Sequence, residues 1–297
     1  MLTEEELQAY RRAGKLVTEV REEIRPMVKP GETLLAIAEA VEGLIAQKGA
    51  KPAFPCNVSV NQIAAHYSPP ANDDARVGED DLVKVDIGAH LEGYIADTAI
   101  TVATGAKVEM VQAVERVLEE SIKAVKPGID VGEVGRAIEE TAKAAGFKPI
   151  RNLTGHSLAR WDLHAGLTIP NVKEETGQVL KVGDVVALEP FITDGAGFVE
   201  DQPQVYIFRY LFDRPVRMRM TRELLRDVKR AYGNLPFAER WLAKRMSKLR
   251  LELTLRELVS VGALHPYHVL KERGDGIVAQ AEHTVIVTEQ GCEVITR

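Results

Sequence analysis

Apolar residues recur at every third or fourth position in four stretches of the chain, as they do along the buried face of an amphipathic helix. The first stripe follows Thr3, whose spacing from Glu6 is that of a capping box at a helix start. The apolar positions are Leu7, Tyr10, Val17, Val20 and Ile24 in the first stripe, Leu34, Ile37, Val41 and Leu44 in the second, Val111, Val114, Leu118 and Ile122 in the third, and Val134, Ile138 and Ala142 in the fourth. The pattern predicts four helices, two in each of two regions.

The two regions are an internal repeat. Val28-Lys29-Pro30-Gly31 recurs as Val125-Lys126-Pro127-Gly128, an offset of 97 residues, and the same offset aligns Lys51-Pro52 with Lys148-Pro149. In each copy Pro-Gly breaks the chain, an amphipathic helix follows, and a glycine, Gly49 or Gly146, ends it.

The repeat continues into segments with the composition of strands. Residues 81–86 resemble 184–189, and residues 96–102 resemble 281–287. Each half therefore has one strand ending in a carboxylate and a second strand beginning near another. We predict an α+β protein: two halves related by a pseudo-twofold axis, with antiparallel sheets flanked by helices, and with four carboxylates meeting at the seam.

The two halves differ in one spacing. The paired carboxylates are 11 residues apart in the first half and 93 in the second, so the second half carries an insertion of 82 residues. We assign residues 201–275 to a helical insertion, the inserted segment, and residues 1–200 and 276–297 to the main domain. Helices are predicted over 221–232, 237–246 and 254–261, and Thr254 with Glu257 suggests a capping box for the last.

Composition narrows the function classes. The 297 residues include 38 Lys plus Arg and 44 Asp plus Glu, a net charge of −6, which does not favour DNA binding. The inserted segment carries a net +7 and the remainder −13. No apolar run is long enough for a membrane span, the two cysteines suit a reducing compartment, and the acidic start does not resemble a signal peptide. We expect a cytoplasmic monomer.

The carboxylates indicate a metal site. Asp86 and Asp97 flank a predicted hairpin that turns near residues 91–93, and directly opposed residues project from one sheet face about 5 Å apart. Two such anions repel unless a cation lies between them, although both could instead simply face water. Glu189 and Glu282 lie in apolar runs, which is a poor place for solvent carboxylates. Four acids at related strand positions fit a dinuclear metal site.

Four of the seven histidines, His66, His156, His164 and His283, fall within the repeat-related segments. His156 follows Gly155, His164 comes eight residues later, and His66 occupies nearly the matching place in the first half. The other candidates are assigned to structural roles: His90, His265 and His268, with Cys56 as a small buried residue. Motifs for a phosphate loop, a dinucleotide fold, a zinc protease helix and a serine nucleophile elbow are absent from the sequence.

Five motifs carry a family resemblance. They are Val85-Asp86-Ile87-Gly88, Ala96-Asp97-Thr98-Ala99, Gly155-His156-Ser157, Ala187-Leu188-Glu189-Pro190 and Ala281-Glu282-His283-Thr284. Together they resemble the ligand motifs of the pita-bread metallopeptidases. The segments around His66, His156 and His164, with the insertion before Glu282, are similar to type II methionine aminopeptidases in a compact, archaeal-like form.

The resemblance implies roles for these residues. Asp86, Asp97, His156, Glu189 and Glu282 would bind two divalent ions (Co²⁺, Mn²⁺, Fe²⁺ or Zn²⁺), with Asp97 and Glu282 bridging them. A bridging hydroxide would attack the carbonyl after the initiator methionine of a nascent polypeptide whose second residue is small, and Glu189 would shuttle the proton.

The same resemblance suggests how the substrate is held. His164 would stabilise the oxyanion, and His66 would contact the scissile amide. Phe54 and Leu163 would line the methionine pocket, although both could be ordinary core residues.

Three alternatives stay open from the sequence. A prolidase or Xaa-Pro aminopeptidase shares the fold but has an extra N-terminal domain. A module without catalytic activity that binds protein or RNA would be expected to lose ligands. The basic inserted segment also suggests docking on the ribosome, for which a solvated helical surface is the simpler interpretation.

Overall fold

The computed structural model describes residues 2–243 and 246–297. Its α-helices are α1 Glu4–Ile24, α2 Leu34–Gln47, α3 Val108–Ala124, α4 Val131–Ala144, α5 Arg219–Tyr232, α6 Glu239–Leu242 and α7 Lys248–Ser260. Its strands are β1 Lys51–Pro52, β2 Asn57–Val60, β3 Ile63–Ala65, β4 Leu82–Leu91, β5 Tyr94–Ala103, β6 Lys148–Pro149, β7 Thr154–Leu158, β8 Thr168–Pro170, β9 Val185–Leu188, β10 Phe191–Thr193, β11 Val199–Tyr210, β12 Phe237–Ala238, β13 Leu264–Glu272, β14 Val278–Gln280, β15 Glu282–Val287 and β16 Cys292–Val294.

The four predicted helices of the repeat are α1 to α4. Thr3 and Glu6 form the predicted capping box: the Thr3 hydroxyl accepts from the Glu6 backbone N–H, and the Glu6 carboxylate accepts from that of Thr3. Gly49 and Gly146 lie just beyond α2 and α4 with φ of 79° and 84°, a left-handed conformation that glycine adopts without strain. The predicted start of the first helix and the predicted glycine stops of the second and fourth helices are confirmed.

A nine-stranded antiparallel sheet joins the halves. Its order is β1-β4-β5-β15-β9-β7-β8, with β2 beside β4 and β16 beside β15. Strands β5 and β15 meet at the middle, where Thr98 donates to the Glu282 carbonyl at 2.8 Å. Thr284 accepts from the Asp97 N–H and donates to the Asp97 carbonyl, both at 2.8 Å. The backbones carrying Asp97 and Glu282 are therefore fixed to each other.

Strand alternation separates a core face from a site face. In β4, Val83, Val85, Ile87 and Ala89 pack with α1 and α2, so Asp86 points to the opposite face. In β9, Val186 and Leu188 pack with α3 and α4. Each pair of helices thus covers the outer side of its own half, and the carboxylates are left on the other side.

The register of the β4–β5 hairpin differs from the prediction. Asp86 pairs with Ala99, and Asp97 pairs with Gly88, so the two aspartates are diagonal neighbours and not directly opposite. The cause is a tight turn over Glu92 and Gly93, both with positive φ. Because the offset is two residues, the two side chains still project from the same face.

The inserted segment has its own core. Strands β11, β12 and β13 form a sheet with β3 of the main domain, and α5 and α7 pack a separate apolar cluster on it. Helix α5 is as predicted over residues 221–232. The predicted helix 237–246 was wrong over Phe237–Ala238, which is β12; its residues 244 and 245 lie outside the described residues.

The predicted cap of the last helix was also wrong. Helix α7 begins at Lys248, six residues before Thr254, and the Thr254 hydroxyl donates to the Arg250 carbonyl inside the helix. Among the described residues, no helix has both the length and the apolar character that crossing a membrane requires.

Candidate metal centre

The side chains predicted to bind metal come together at the centre of the sheet. Ligand atoms of Asp97, His156 and Glu282 all lie within 4.8 Å of one another. Glu189 Oε1 is 3.3 Å from His156 Nε2, and Asp97 Oδ2 is 3.8 Å from the same nitrogen. Asp86 lines the same cavity. We call Asp86, Asp97, Glu189 and Glu282 the carboxylate cluster.

The carboxylate cluster is buried and carries excess negative charge. Burial raises the pKa of Asp86 to about 7. Burial, with repulsion from neighbouring acids, raises the pKa values of Asp97, Glu189 and Glu282 well above their usual range. Burial also lowers the pKa of His156 to about 3, so its imidazole is neutral at physiological pH. Without a cation, the four acids cannot all ionise at low cost.

Unpaired oxygens in the cavity fit a bound cation. Asp86 Oδ1, Asp97 Oδ1 and Glu282 Oε1 are buried and have no hydrogen-bond partner. The second oxygens of two of these acids are held from behind: Asn57 donates to Asp86 Oδ2 at 3.1 Å, and Gln280 donates to Glu282 Oε2 at 3.3 Å. Carboxylate oxygens with one neutral imidazole suit first-row divalent metals. The residues therefore fit a divalent metal ion.

Two further histidines border the same cavity. The ring of His164 lies 4.4 Å from that of His156, centroid to centroid. His66 follows β3 with a left-handed backbone, φ 65°, and its Nδ1 lies 3.0 Å from the His268 carbonyl oxygen. Burial lowers the pKa of His66 and lowers that of His164 to about 4. Both rings are neutral near pH 7.

The cavity measures about 230 Å³, below the ~300–1,000 Å³ typical of sites for drug-sized ligands. Phe54 and Leu163 both line it, and both also belong to the apolar cluster packed against α1 and α2, so the core alternative that the sequence left open applies to them as well. The Phe54 ring lies against Gly88, where a Cβ would come within 2.0 Å of a ring carbon. A side chain at position 88 would displace the ring, so the glycine after Asp86-Ile87 makes room for this wall.

The inserted segment supplies lining residues that the sequence analysis missed. Ile207, Pro236 and Tyr267 border the cavity. The Tyr267 ring packs edge-on to His66 at 5.4 Å and stacks with His164 at 6.5 Å. No local motif marks these positions. They reach the cavity because β13 pairs with β3 directly before His66, a contact between segments some 200 residues apart.

The remaining histidines lie outside the cavity lining. His90 accepts from the Gly93 N–H at the hairpin turn and contacts the Trp161 ring at 4.8 Å. His265 packs on Tyr267, and His268 Nδ1 lies 2.8 Å from the Gln202 carbonyl. Cys56 is buried, as predicted. These positions are consistent with the structural roles assigned to them.

Comparison with known proteins gives matches along almost the whole chain. The model of metallopeptidase family M24 matches residues 8–289. A methionine aminopeptidase of Methanothermobacter thermautotrophicus is 48% identical over 294 residues, 98% of each chain. One of Methanocaldococcus jannaschii is 46% identical over 296 residues, 98% of this chain and 100% of the relative. The crystal structure of the Thermotoga maritima methionine aminopeptidase superposes with a TM-score of 0.74 at 26% identity, covering 100% of this chain and 98% of the other. The predicted α+β pita-bread fold is confirmed.

Replacing Asp86 by Asn should change how stability depends on pH. Between pH about 4 and about 7, the folded metal-free protein binds a proton at Asp86 that the unfolded chain does not, so its unfolding free energy falls as pH rises. The Asp86→Asn variant lacks this loss. Its free energy of unfolding should therefore rise, relative to that of wild type, by up to about 1.4 kcal/mol per pH unit across that window.

Urea unfolding in the presence of a chelator measures the difference. Adding Mn²⁺ at pH 7 should make the wild type the more stable of the two proteins, because a bound ion stabilises the wild type by mass action and stabilises the variant less. A pH-independent difference between the two proteins would contradict this account of the carboxylate cluster.

Proposed function

The chain belongs to metallopeptidase family M24, and from that premise we propose that it is a methionine aminopeptidase that removes the initiator methionine from nascent polypeptides whose second residue is small. The observation that carries the proposal is the meeting of Asp86, Asp97, His156, Glu189 and Glu282 in a cavity large enough for about one residue. Its relatives at 46–48% identity are methionine aminopeptidases.

We propose that these five side chains would hold two divalent ions. Their position supports this: Asp97 and Glu282 lie on the two central strands, between Asp86 of one half and Glu189 and His156 of the other. Such ions would polarise the scissile carbonyl, lower the pKa of a water in the site and neutralise the acids. Co²⁺, Mn²⁺, Fe²⁺ and Zn²⁺ all suit this donor set.

The protein groups around the cavity have separate tasks. Glu189, which lines the cavity, takes and returns the proton of the attacking water. His164 donates a hydrogen bond to the oxygen on which charge develops. His66 binds the scissile amide. Phe54 and Leu163, with Ile207 from the inserted segment, surround the methionine side chain.

The activity can be tested on short peptides. Protein reconstituted with Co²⁺, Mn²⁺, Fe²⁺ or Zn²⁺ should release methionine from Met-Ala-Ser, and a chelator should abolish release. Acetylated Met-Ala-Ser and Met-Leu-Ser should stay intact, because the first lacks a free amine and the second has a large second residue. Absence of turnover with every metal would refute the proposal.

Two alternative functions have distinct outcomes in the same experiment. Faster cleavage of Leu-Pro than of Met-Ala-Ser would identify a prolidase. A metal content near zero by elemental analysis, together with tight RNA binding, would identify a module without catalytic activity.

His164 can be tested separately from metal binding. The His164→Ala variant should lose about 10²- to 10³-fold in kcat, the cost of removing one donor to a developing oxyanion. Its metal content by elemental analysis should match the wild type. His265→Ala is the matched control, because His265 is exposed and does not line the cavity. A kcat within threefold of wild type for His164→Ala would exclude the role.

The division into a main domain, residues 1–200 and 276–297, and the inserted segment stays a proposal. The separate apolar cluster under α5 and α7 supports it. So does the charge difference between the two parts, +7 against −13.

We also propose that the inserted segment docks on the ribosome, which would place the enzyme in the cytoplasm beside emerging chains. Arg222, Arg226 and Arg230 are exposed at successive turns of α5 and form one basic row. Reversing all three charges to Glu should reduce co-sedimentation with ribosomes at low salt while Met-Ala-Ser turnover stays unchanged. Unaltered co-sedimentation would contradict the docking proposal and would show that the basic row is an ordinary solvated helix surface.

A further inference from the structure

A buried ion pair links the inserted segment to the main domain. Arg240 in α6 donates to the carboxylate of Glu42 in α2. The two side chains are only 4% and 14% exposed, whereas the ion pair between Arg219 and Glu223 on α5 is 86% and 46% exposed. Burying charges is costly, and a buried pair is a weak source of stability compared with apolar packing. The contacts around this pair indicate another purpose.

Both charged groups connect to the backbone of one residue of the main domain, Cys56. Glu42 Oε1 accepts from the Cys56 N–H at 3.2 Å, and its Oε2 accepts from the Trp241 indole at 2.8 Å. Arg240 donates to the Ser68 hydroxyl at 2.5 Å, and that hydroxyl donates to the Cys56 carbonyl at 3.0 Å. The N–H and C=O of Cys56 are thus both bound within a network that the inserted segment completes.

The fixed residue lies between two residues that face the cavity. Phe54 precedes Cys56 by two positions and forms a cavity wall. Asn57 follows it and donates to Asp86. Ser68 comes two positions after His66, and the Val58 N–H donates to the Tyr67 carbonyl at 2.8 Å, tying the two stretches together. A shift of Cys56 or Ser68 would move both walls of the cavity.

We propose that Arg240 is a positioning residue that holds Phe54 and His66 in the geometry that selects methionine, so that the inserted segment takes part in substrate selection. This inference rests on the proposed aminopeptidase function. Arg240 does not line the cavity, and it acts through Ser68, Glu42 and the backbone of Cys56. The planar guanidinium is suited to this place because it reaches three acceptors at once, the Glu42 carboxylate, the Ser68 hydroxyl and the Pro69 carbonyl, which an ammonium group does in a less fixed geometry.

The test compares kinetics on Met-Ala-Ser and Leu-Ala-Ser. Arg240→Met should raise KM for Met-Ala-Ser about tenfold, with kcat within about threefold, because ground-state binding of the side chain is lost. The preference for methionine over leucine in kcat/KM should fall at least about fivefold, since discrimination depends on pocket fit. Arg240→Lys should restore part of the preference.

A second variant avoids leaving a lone buried charge. Ser68→Ala keeps the Arg240–Glu42 pair but removes the link to the Cys56 carbonyl, and it should show the same shift in KM and preference, even if Arg240→Met does not fold. Arg219→Met, which breaks an exposed ion pair in the inserted segment, is the control and should match wild type. Metal content of every variant should equal that of wild type.

The outcomes separate this inference from the proposed function. A wild type with no activity on Met-Ala-Ser overturns both. An active wild type with unchanged KM and preference in folded Ser68→Ala and Arg240→Met overturns the positioning role alone. Equal losses on methionine and leucine substrates, with unchanged KM, would also overturn it, because they would reflect general destabilisation.

Discussion

The mutual repulsion of four buried carboxylates is the constraint on which the rest of the structure depends. Groups of one charge in a site of low dielectric raise each other's pKa values, and only a cation lets them ionise together. Two kinds of contact hold the carboxylates in place. Threonine hydrogen bonds fix the two central strands to each other, and the side-chain amides of Asn57 and Gln280 bind the second oxygens of Asp86 and Glu282. Much of the sheet's local geometry can be understood as the support of this cluster.

The repeat explains how one chain can assemble such a cluster. Each half presents a strand pair whose outer face is covered by two helices, so the acids of both halves are left on the common inner face. Neither half has enough ligands alone: His156 and Glu189 belong to the second half, and Asp86 and Asp97 to the first. The site therefore exists only when β5 and β15 pair, which couples metal binding to the docking of the halves.

The sequence was sufficient for what is local or periodic. The capping box of α1, the glycine stops and the strand-end acids could be predicted because each leaves a pattern within a few residues, and the repeat then grouped the acids of the two halves. The cap predicted at Thr254 was wrong because α7 begins six residues earlier. The hairpin register was missed because it depends on whether two or more residues make the turn, and Glu92 gives no sign that it adopts positive φ. Tyr267 and Pro236 were missed for a different reason: their place at the cavity results from the pairing of β13 with β3, which no periodicity encodes.

The difference between local patterns and long-range pairing also explains why the sequence suggested that the inserted segment is separate from the site. Its composition differs from the rest, and its apolar cluster is its own, both of which suggest an independent unit. Yet it contributes a wall of the cavity and, through Arg240, is linked to the backbone of Cys56, two residues from Phe54. Helices α5 and α7 supply no residue to the cavity lining and bear on the site only through the strands they pack on, β11 and β13. Strand β13 and Arg240, in contrast, contact the main domain directly beside the cavity.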